Sequence, residues 1–250
     1  MNPRTFEARD AKRGRTFPID VWEADGPLVV YSHPSMQNRR SATYLCEHLC
    51  SHGYRVAALD HSETVDARLR RPAAESEEER VARWRAVMDA RVPDIQFLLD
   101  QVGAGDRVGI VGHSFGGWTA LAVPDVEPRI AAIVALAPGG TSNPRPGILP
   151  VKLDFRWGRE IPTLIVAAEN DTSTTLDGIF EIFDRAPEPK RLAVLHRADH
   201  MHFVDETEKF HEMYRTPEML PMSELMPADE AHRLVAEWTL AHFDEFLIQV

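Results

Sequence analysis

The segment Arg107-Val108-Gly109-Ile110-Val111-Gly112-His113-Ser114-Phe115-Gly116-Gly117-Trp118-Thr119-Ala120 constrains this chain more than any other. A β-branched apolar run enters a Gly-x-Ser-x-Gly-Gly turn, and small and apolar residues suited to starting a helix leave it. A strand that turns abruptly into a helix puts the turn residue in a strained conformation, and its neighbours must lack side chains where the two elements crowd. Gly112 and Gly116 meet that need, and Gly117 lets the helix sit close to the sheet. The strain would hold Ser114 Oγ out at the carboxyl edge of a sheet, with the first N–H groups of the helix aimed at the same point. This is the pattern of a nucleophile elbow, and the strand before and helix after it set it apart from a chance Gly-x-Ser-x-Gly.

At 250 residues, with no Gly/Ser-rich or Pro-rich linker, the chain reads as a single domain over 1–250. A formal net charge of −11 and the lack of a basic stripe argue against nucleic acid as a partner. Cys46 and Cys50 lie four apart in a helical pattern, on one face, which suits two buried thiols rather than a disulfide. No Cys/His spacing suggests zinc, so neither metal nor cofactor is expected. The first ten residues hold no apolar h-region and no run is long enough to span a bilayer, so a cytoplasmic protein without membrane insertion is expected.

Short apolar runs mark strands buried on both faces: Leu28–Tyr31, Arg55–Asp60, 107–112, Ile130–Ala137, Pro162–Ala168 and Arg191–Leu195. Thr16–Trp22 alternates as an earlier strand, and residues 1–15 read as a loose end or an edge strand. Helical patterns lie between, over Ser41–His52 (stopped by Gly53), Asp94–Val102, 175–186 and Ala228–Ile248. Residues 61–90, with Glu75-Ser76-Glu77-Glu78-Glu79-Arg80, read as a solvated helix face. The alternation predicts an α/β fold: a mostly parallel central sheet with helices on both faces, and a ligand site at the carboxyl ends of the strands.

Ser114 needs a base, and the base an orienting acid. In the nucleophile–acid–His order the base should follow the last strand, and His200 in Ala198-Asp199-His200-Met201-His202-Phe203 is the first choice ahead of His202 and His196. Asp171, ending the preceding strand, is the matching acid ahead of Glu169 and Asp177. Asp199, adjacent to His200, reads as a turn or surface carboxylate. An oxyanion hole needs two backbone N–H groups. Phe115 supplies one. The loop His33-Pro34-Ser35-Met36 supplies the other; Pro34 has no N–H, which leaves Ser35 or Met36, and Ser35 is favoured. His33 reads more as a buttress of this loop than as a proton carrier, and with Met36, Trp157 and Phe203 it is also a candidate for contacting substrate. Residues 138–160 (Leu149, Leu153, Phe155, Trp157) and 203–226 (Phe203, Phe210, Met213, Tyr214, Met219, Leu220, Met222, Met226) are candidate pocket-covering walls, and packing explains them equally well.

Ser32-His33, Cys46-Glu47-His48-Leu49, His52-Gly53-Tyr54, Leu59-Asp60-His61, Asp94 to Asp100 and Gly112 to Gly117 together resemble platelet-activating-factor acetylhydrolase-like and dienelactone hydrolase-like α/β-hydrolases. Pro162 to Asp171 resembles the acid-bearing strand of cutinase-like polyester hydrolases and dienelactone hydrolases. The resemblance runs over about 26–140 and 160–248. It implies the α/β-hydrolase fold and hydrolysis of a small or medium acyl ester through an acyl-enzyme on Ser114 with His200 as base. Acetylhydrolases place their acid after the strand that here ends Ala135-Leu136-Ala137; Ala137 cannot serve, so the role falls to Asp171. Pro34 stands where the family has glycine, and the cysteine nucleophile of dienelactone hydrolases proper is absent. Two other readings stay open: a ligand-binding or differently catalytic protein on the same fold, motivated by Pro34, and a peptidase or amidase with the same three residues.

Overall fold

The computed structural model of the chain describes residues 2–144 and 150–248. Among them β1 (Arg4–Asp10), β2 (Arg15–Trp22), β3 (Leu28–Ser32), β4 (Arg55–Leu59), β5 (Val108–His113), β6 (Ile130–Leu136), β7 (Thr163–Ala168) and β8 (Lys190–Leu195) form one sheet in the order β1-β2-β4-β3-β5-β6-β7-β8. β2 runs antiparallel to β1 and β4, and every other pairing is parallel. The helices are α1 (Thr43–Ser51), α2 (Ser62–Val65), α3 (Glu77–Gln101), α4 (Phe115–Ala122), α5 (Leu176–Arg185), α6 (Thr207–Met213) and α7 (Ala228–Phe246). This is the predicted α/β arrangement. The charged N-terminal segment is an edge strand rather than a loose end. No helix among the described residues is long and apolar enough to cross a membrane.

The continuous apolar strands are explained by two cores. Successive side chains point to opposite faces, so Val30, Ile110, Ile133 and Ile165 pack with residues of α3, α4 and α5. Val29, Val111, Val134 and Val166 pack with α1 and α7. Each such side chain contributes about 1.5–3 kcal/mol when fully buried. Cys46 and Cys50 are buried on α1 and are not joined in a disulfide.

α3 departs most from the sequence expectation. It is one 25-residue helix rather than a charged stretch followed by a short amphipathic one. A reciprocal capping box starts it: Ser76 Oγ accepts from Glu79 N–H at 3.2 Å, and Ser76 N–H donates to Glu79 Oε2 at 2.8 Å. Its buried positions include Val87, Ala90, Arg91, Asp94, Ile95 and Leu98, so the stretch presents far more than a solvated face.

Candidate active site

Ser114 follows β5 directly and precedes α4, with φ 56° and ψ −115°. Positive φ costs a residue with a side chain about 1–3 kcal/mol and persists only where its surroundings enforce it. Here they do. A Cβ on Gly112 would stand 2.2 Å from the Gly116 carbonyl oxygen, and one on Gly116 would stand 2.0 Å from that of Ser32. Only hydrogen fits at either position. Ser114 N–H donates to the Leu136 carbonyl at 2.8 Å, which ties the turn to β6.

Three side chains from three strand ends meet at this turn. Ser114 Oγ lies 2.9 Å from His200 Nε2, and His200 Nδ1 lies 2.6 Å from Asp171 Oδ2. Asp171 is buried and held by the loop after β7: its Oδ1 accepts from the N–H groups of Ser173 and Thr174 at 2.6 and 2.8 Å, and its Oδ2 accepts from Thr174 Oγ1 at 2.8 Å. Burial disfavours a charged His200, but the Asp171 carboxylate outweighs it by charge and hydrogen bond. The His200 pKa therefore stands above the ordinary histidine value.

His200 sits on a single 3₁₀ turn, His200–Phe203. Asp199 holds that turn and is no surface carboxylate. It is buried, accepts from Met201 N–H at 2.9 Å, and faces the imidazoles of both His202 and His211. Burial raises the Asp199 carboxyl, but these partners outweigh it and hold the group below its ordinary pKa. Of the other histidines weighed as base, His202 is fully buried against Asp199 and His196 is on the surface. Glu169 accepts from Arg197 N–H on the surface.

Phe115 is the first residue of α4, so its N–H has no acceptor within the helix. Across from it, Ser35 and Met36 border the same cavity, Met36 at φ 60°. His33 does not contact the cavity, which corrects its candidacy for substrate. Its ring lies fully buried beneath the loop: Nδ1–H donates to the Pro34 carbonyl at 2.7 Å, and Nε2 accepts from His61 N–H at 2.9 Å. Those partners fix the neutral tautomer, and burial, helped by Arg91, pushes its pKa well below the ordinary value. The loop that carries Pro34 is thus braced by side chains from below.

Arg91 completes that bracing. Fully buried on α3, it donates from Nη1 to the His33 carbonyl at 2.7 Å, pairs through Nη2 with Glu63 Oε1, and lies 4.5 Å over the Phe115 ring. It therefore ties the loop after β3 to the Phe115 ring at the start of α4. Removing one partner of a buried ion pair leaves the other uncompensated. Arg91→Met is expected to lower unfolding stability by about 3–5 kcal/mol, read from the urea midpoint, with Glu63→Gln in the same chain recovering part of the loss.

Ser114 and His200 open into a cavity of about 840 Å³. Met36, Val151, Val204 and Tyr214 border it, as do Pro138 to Thr141 and Asn143-Pro144. Trp157 and Phe203 do not, and their candidacy for substrate is corrected. Trp157 is buried behind α4, where its indole N–H donates to the Leu121 carbonyl at 3.1 Å. Phe203 is fully buried in the core on the α1 and α7 side. Leu153 and Phe155 join the opposite core, and Leu149 lies outside the described residues. Phe210, Met213, Met219, Leu220, Met222 and Met226 are not among the described residues that line the cavity, so the methionine-bearing segment forms little of its wall. The wall missed in the sequence is α3. Arg80, Trp84 and Val87 line the cavity, with Arg91 beneath them, at a spacing of i, i+4, i+7 and i+11. Trp84 stacks on Phe115 at 4.8 Å. Among the described residues no group of three or more His, Cys, Asp or Glu is placed to hold a metal ion.

A family model described as PET hydrolase-like matches residues 17–213. The chain belongs to the PET hydrolase-like family. The matched span runs from β2 to the last residue of α6 and contains Ser114, Asp171 and His200. Over 168 residues the chain is 28% identical to cutinase Est2 of Thermobifida alba, covering 66% of this chain and 48% of that protein. Over 260 residues it is 25% identical to platelet-activating factor acetylhydrolase of Cavia porcellus, covering 88% of this chain and 57% of that one. The chain spans less than half the length of the cutinases it matches. Among solved structures, a ferulic acid esterase from Streptomyces cinnamoneus superposes with a TM-score of 0.70 at 20% identity, covering 98% of this chain and 89% of that one. At such identity the likeness speaks for the fold, which is that of α/β-hydrolases. Of the resemblances read from the sequence, those to acetylhydrolases and to cutinases have counterparts among these relatives.

Proposed function

We propose that this chain is a serine esterase that cleaves a small or medium acyl ester through an acyl-enzyme on Ser114. The observation that carries this reading is the unbroken relay from Ser114 Oγ through His200 to Asp171, at 2.9 and 2.6 Å, with Ser114 and His200 lining a cavity. Cutinases and an acetylhydrolase among the relatives support the ester class.

In this reading Ser114 Oγ attacks the ester carbonyl as its proton passes to His200 Nε2. Asp171 keeps Nδ1 protonated and stabilises the imidazolium. The N–H groups of Phe115 and Ser35 receive the developing oxyanion, each worth about 3 kcal/mol in the transition state. His200 then returns the proton to the departing alkoxide, and a water deprotonated by the same nitrogen releases the acid.

The base acts only when neutral. Because its pKa lies above the ordinary 6.5, kcat/KM should rise with pH and reach half its plateau above pH 6.5. A half-point below that value would contradict the assignment of His200. The reading itself is tested by incubating the folded protein with a fluorophosphonate and assaying 4-nitrophenyl butyrate. Labelling of Ser114 together with ester turnover is expected; a folded sample that shows neither would overturn it.

A further inference from the structure

The part of the cavity lining formed by residues 63–83 carries an unusual set of charges. The described lining residues include four arginines, Arg70, Arg71, Arg80 and Arg83, and two glutamates, Glu63 and Glu75, but neither lysine nor aspartate. This stands out in a chain of formal net charge −11. Both glutamates are already engaged. Glu63 pairs with the buried Arg91, and Arg83 takes both oxygens of Glu75 at 2.8 and 2.7 Å. Arg80 is paired with Glu77, which is not among the described lining residues.

Arg70 and Arg71 are different. Arg70 donates twice to the Thr64 carbonyl, at 3.0 and 2.6 Å. A neutral acceptor orients its guanidinium without cancelling the charge. Arg71 makes no hydrogen bond or close ion pair among the described residues; its charge acts on Glu75, whose two oxygens Arg83 already holds. Arg70 and Arg71 are thus two guanidinium groups that no carboxylate takes by hydrogen bond, in a cavity lining that also holds the apolar Leu69, Trp84, Val87 and Phe115. The rise of α3 places Arg80 about 6 Å beyond Trp84, and Trp84 stacks on the residue next to Ser114. On α3 the charged residues thus lie a turn beyond Trp84, and Arg70 is anchored on the carbonyl of Thr64, whose hydroxyl donates to Gln37 in the loop after β3.

We propose that this wall is a subsite for an anionic oxyacid group, a carboxylate or a phosphate, at the far end of the substrate from the bond that Ser114 cleaves. The inference rests on the esterase reading and narrows its substrate class. The apolar lining residues receive the connecting chain, and Arg70 and Arg71 receive the anion through charge-assisted hydrogen bonds. In a protein of negative net charge the same pair raises the local concentration of anionic substrate, so the effect weakens with salt.

The test compares 4-nitrophenyl hydrogen adipate with its neutral methyl ester, and with a phosphate-terminated ester of equal chain length. One or both anionic esters should exceed the neutral one about tenfold in kcat/KM, mainly through KM. The advantage should shrink in 1 M NaCl and fall close to one in the Arg70→Gln/Arg71→Gln variant. The better of the two anions identifies the oxyacid. A wild-type ratio of one or less, or a ratio unchanged in the variant, overturns the proposal. Calorimetric binding of monomethyl and dimethyl adipate to Ser114→Ala reads the subsite without turnover. If no ester is hydrolysed, the esterase reading fails, and preference between these two ligands decides the subsite separately.

Discussion

Ser114→Ala should lower kcat for 4-nitrophenyl butyrate by about 10⁴-fold or more, abolish fluorophosphonate labelling, and leave the fold intact. In the proposed esterase mechanism the side chain supplies the nucleophile and nothing that the scaffold needs. Among the described residues its Oγ has one hydrogen-bond partner, His200 Nε2. The glycines around it, not its hydroxyl, make room for the turn, and alanine keeps the Cβ already accommodated at φ 56°. The melting temperature should therefore move little while turnover collapses. Turnover retained near the wild-type rate would remove Ser114 from the chemistry.

Asp171→Asn should cost about 10⁴-fold in kcat, through a change of tautomer rather than a change of shape. The N–H groups of Ser173 and Thr174 both require an acceptor at Oδ1, so the amide oxygen must stay there. The amide NH₂ then faces His200 Nδ1, which can only accept. The imidazole proton is left on Nε2, where it blocks transfer from Ser114. Thr174 Oγ1, no longer offered an acceptor at Oδ2, can turn to the Ala137 carbonyl 3.2 Å away. The acid limb of the pH profile should also shift downward, because the carboxylate is what raises the His200 pKa against its burial. A variant with full kcat and an unmoved limb would show that Asp171 does not orient the base.

The legible parts of the site were those set by short-range necessity. Gly112, Gly116 and Gly117 are demanded by atoms a few residues away, so the elbow is written locally. Asp171 and His200 follow from their positions at strand ends and from chain order. The cavity walls were not legible, because an apolar residue satisfies a core as well as a pocket. Trp157 found an acceptor behind α4 and Phe203 a place between sheet and helices, and nothing in their sequence neighbours separates those outcomes from substrate contact. His33 was half legible. Its bracing role fits its place beside Pro34, but its burial depends on His61 and Arg91, far along the chain. The α3 wall did carry a signal. Ser76-Glu77-Glu78-Glu79 is a capping box, and counting from it puts Arg80, Trp84, Val87 and Arg91 on one stripe. The density of charge concealed it, because a run of glutamates and arginines suits a solvated face. Arg91 and the cavity-lining arginines show that such a run can also face inward where carboxylates and carbonyls are placed to receive it.

The most direct measurement is an acid-quenched reaction with 4-nitrophenyl butyrate, followed by mass spectrometry of the digested protein. A burst of 4-nitrophenol should accompany a butyryl mass on the peptide that carries Ser114, and that mass should be absent in Ser114→Ala. Turnover with no acylated peptide at any quench time, or with the acyl group on another residue, would contradict the account.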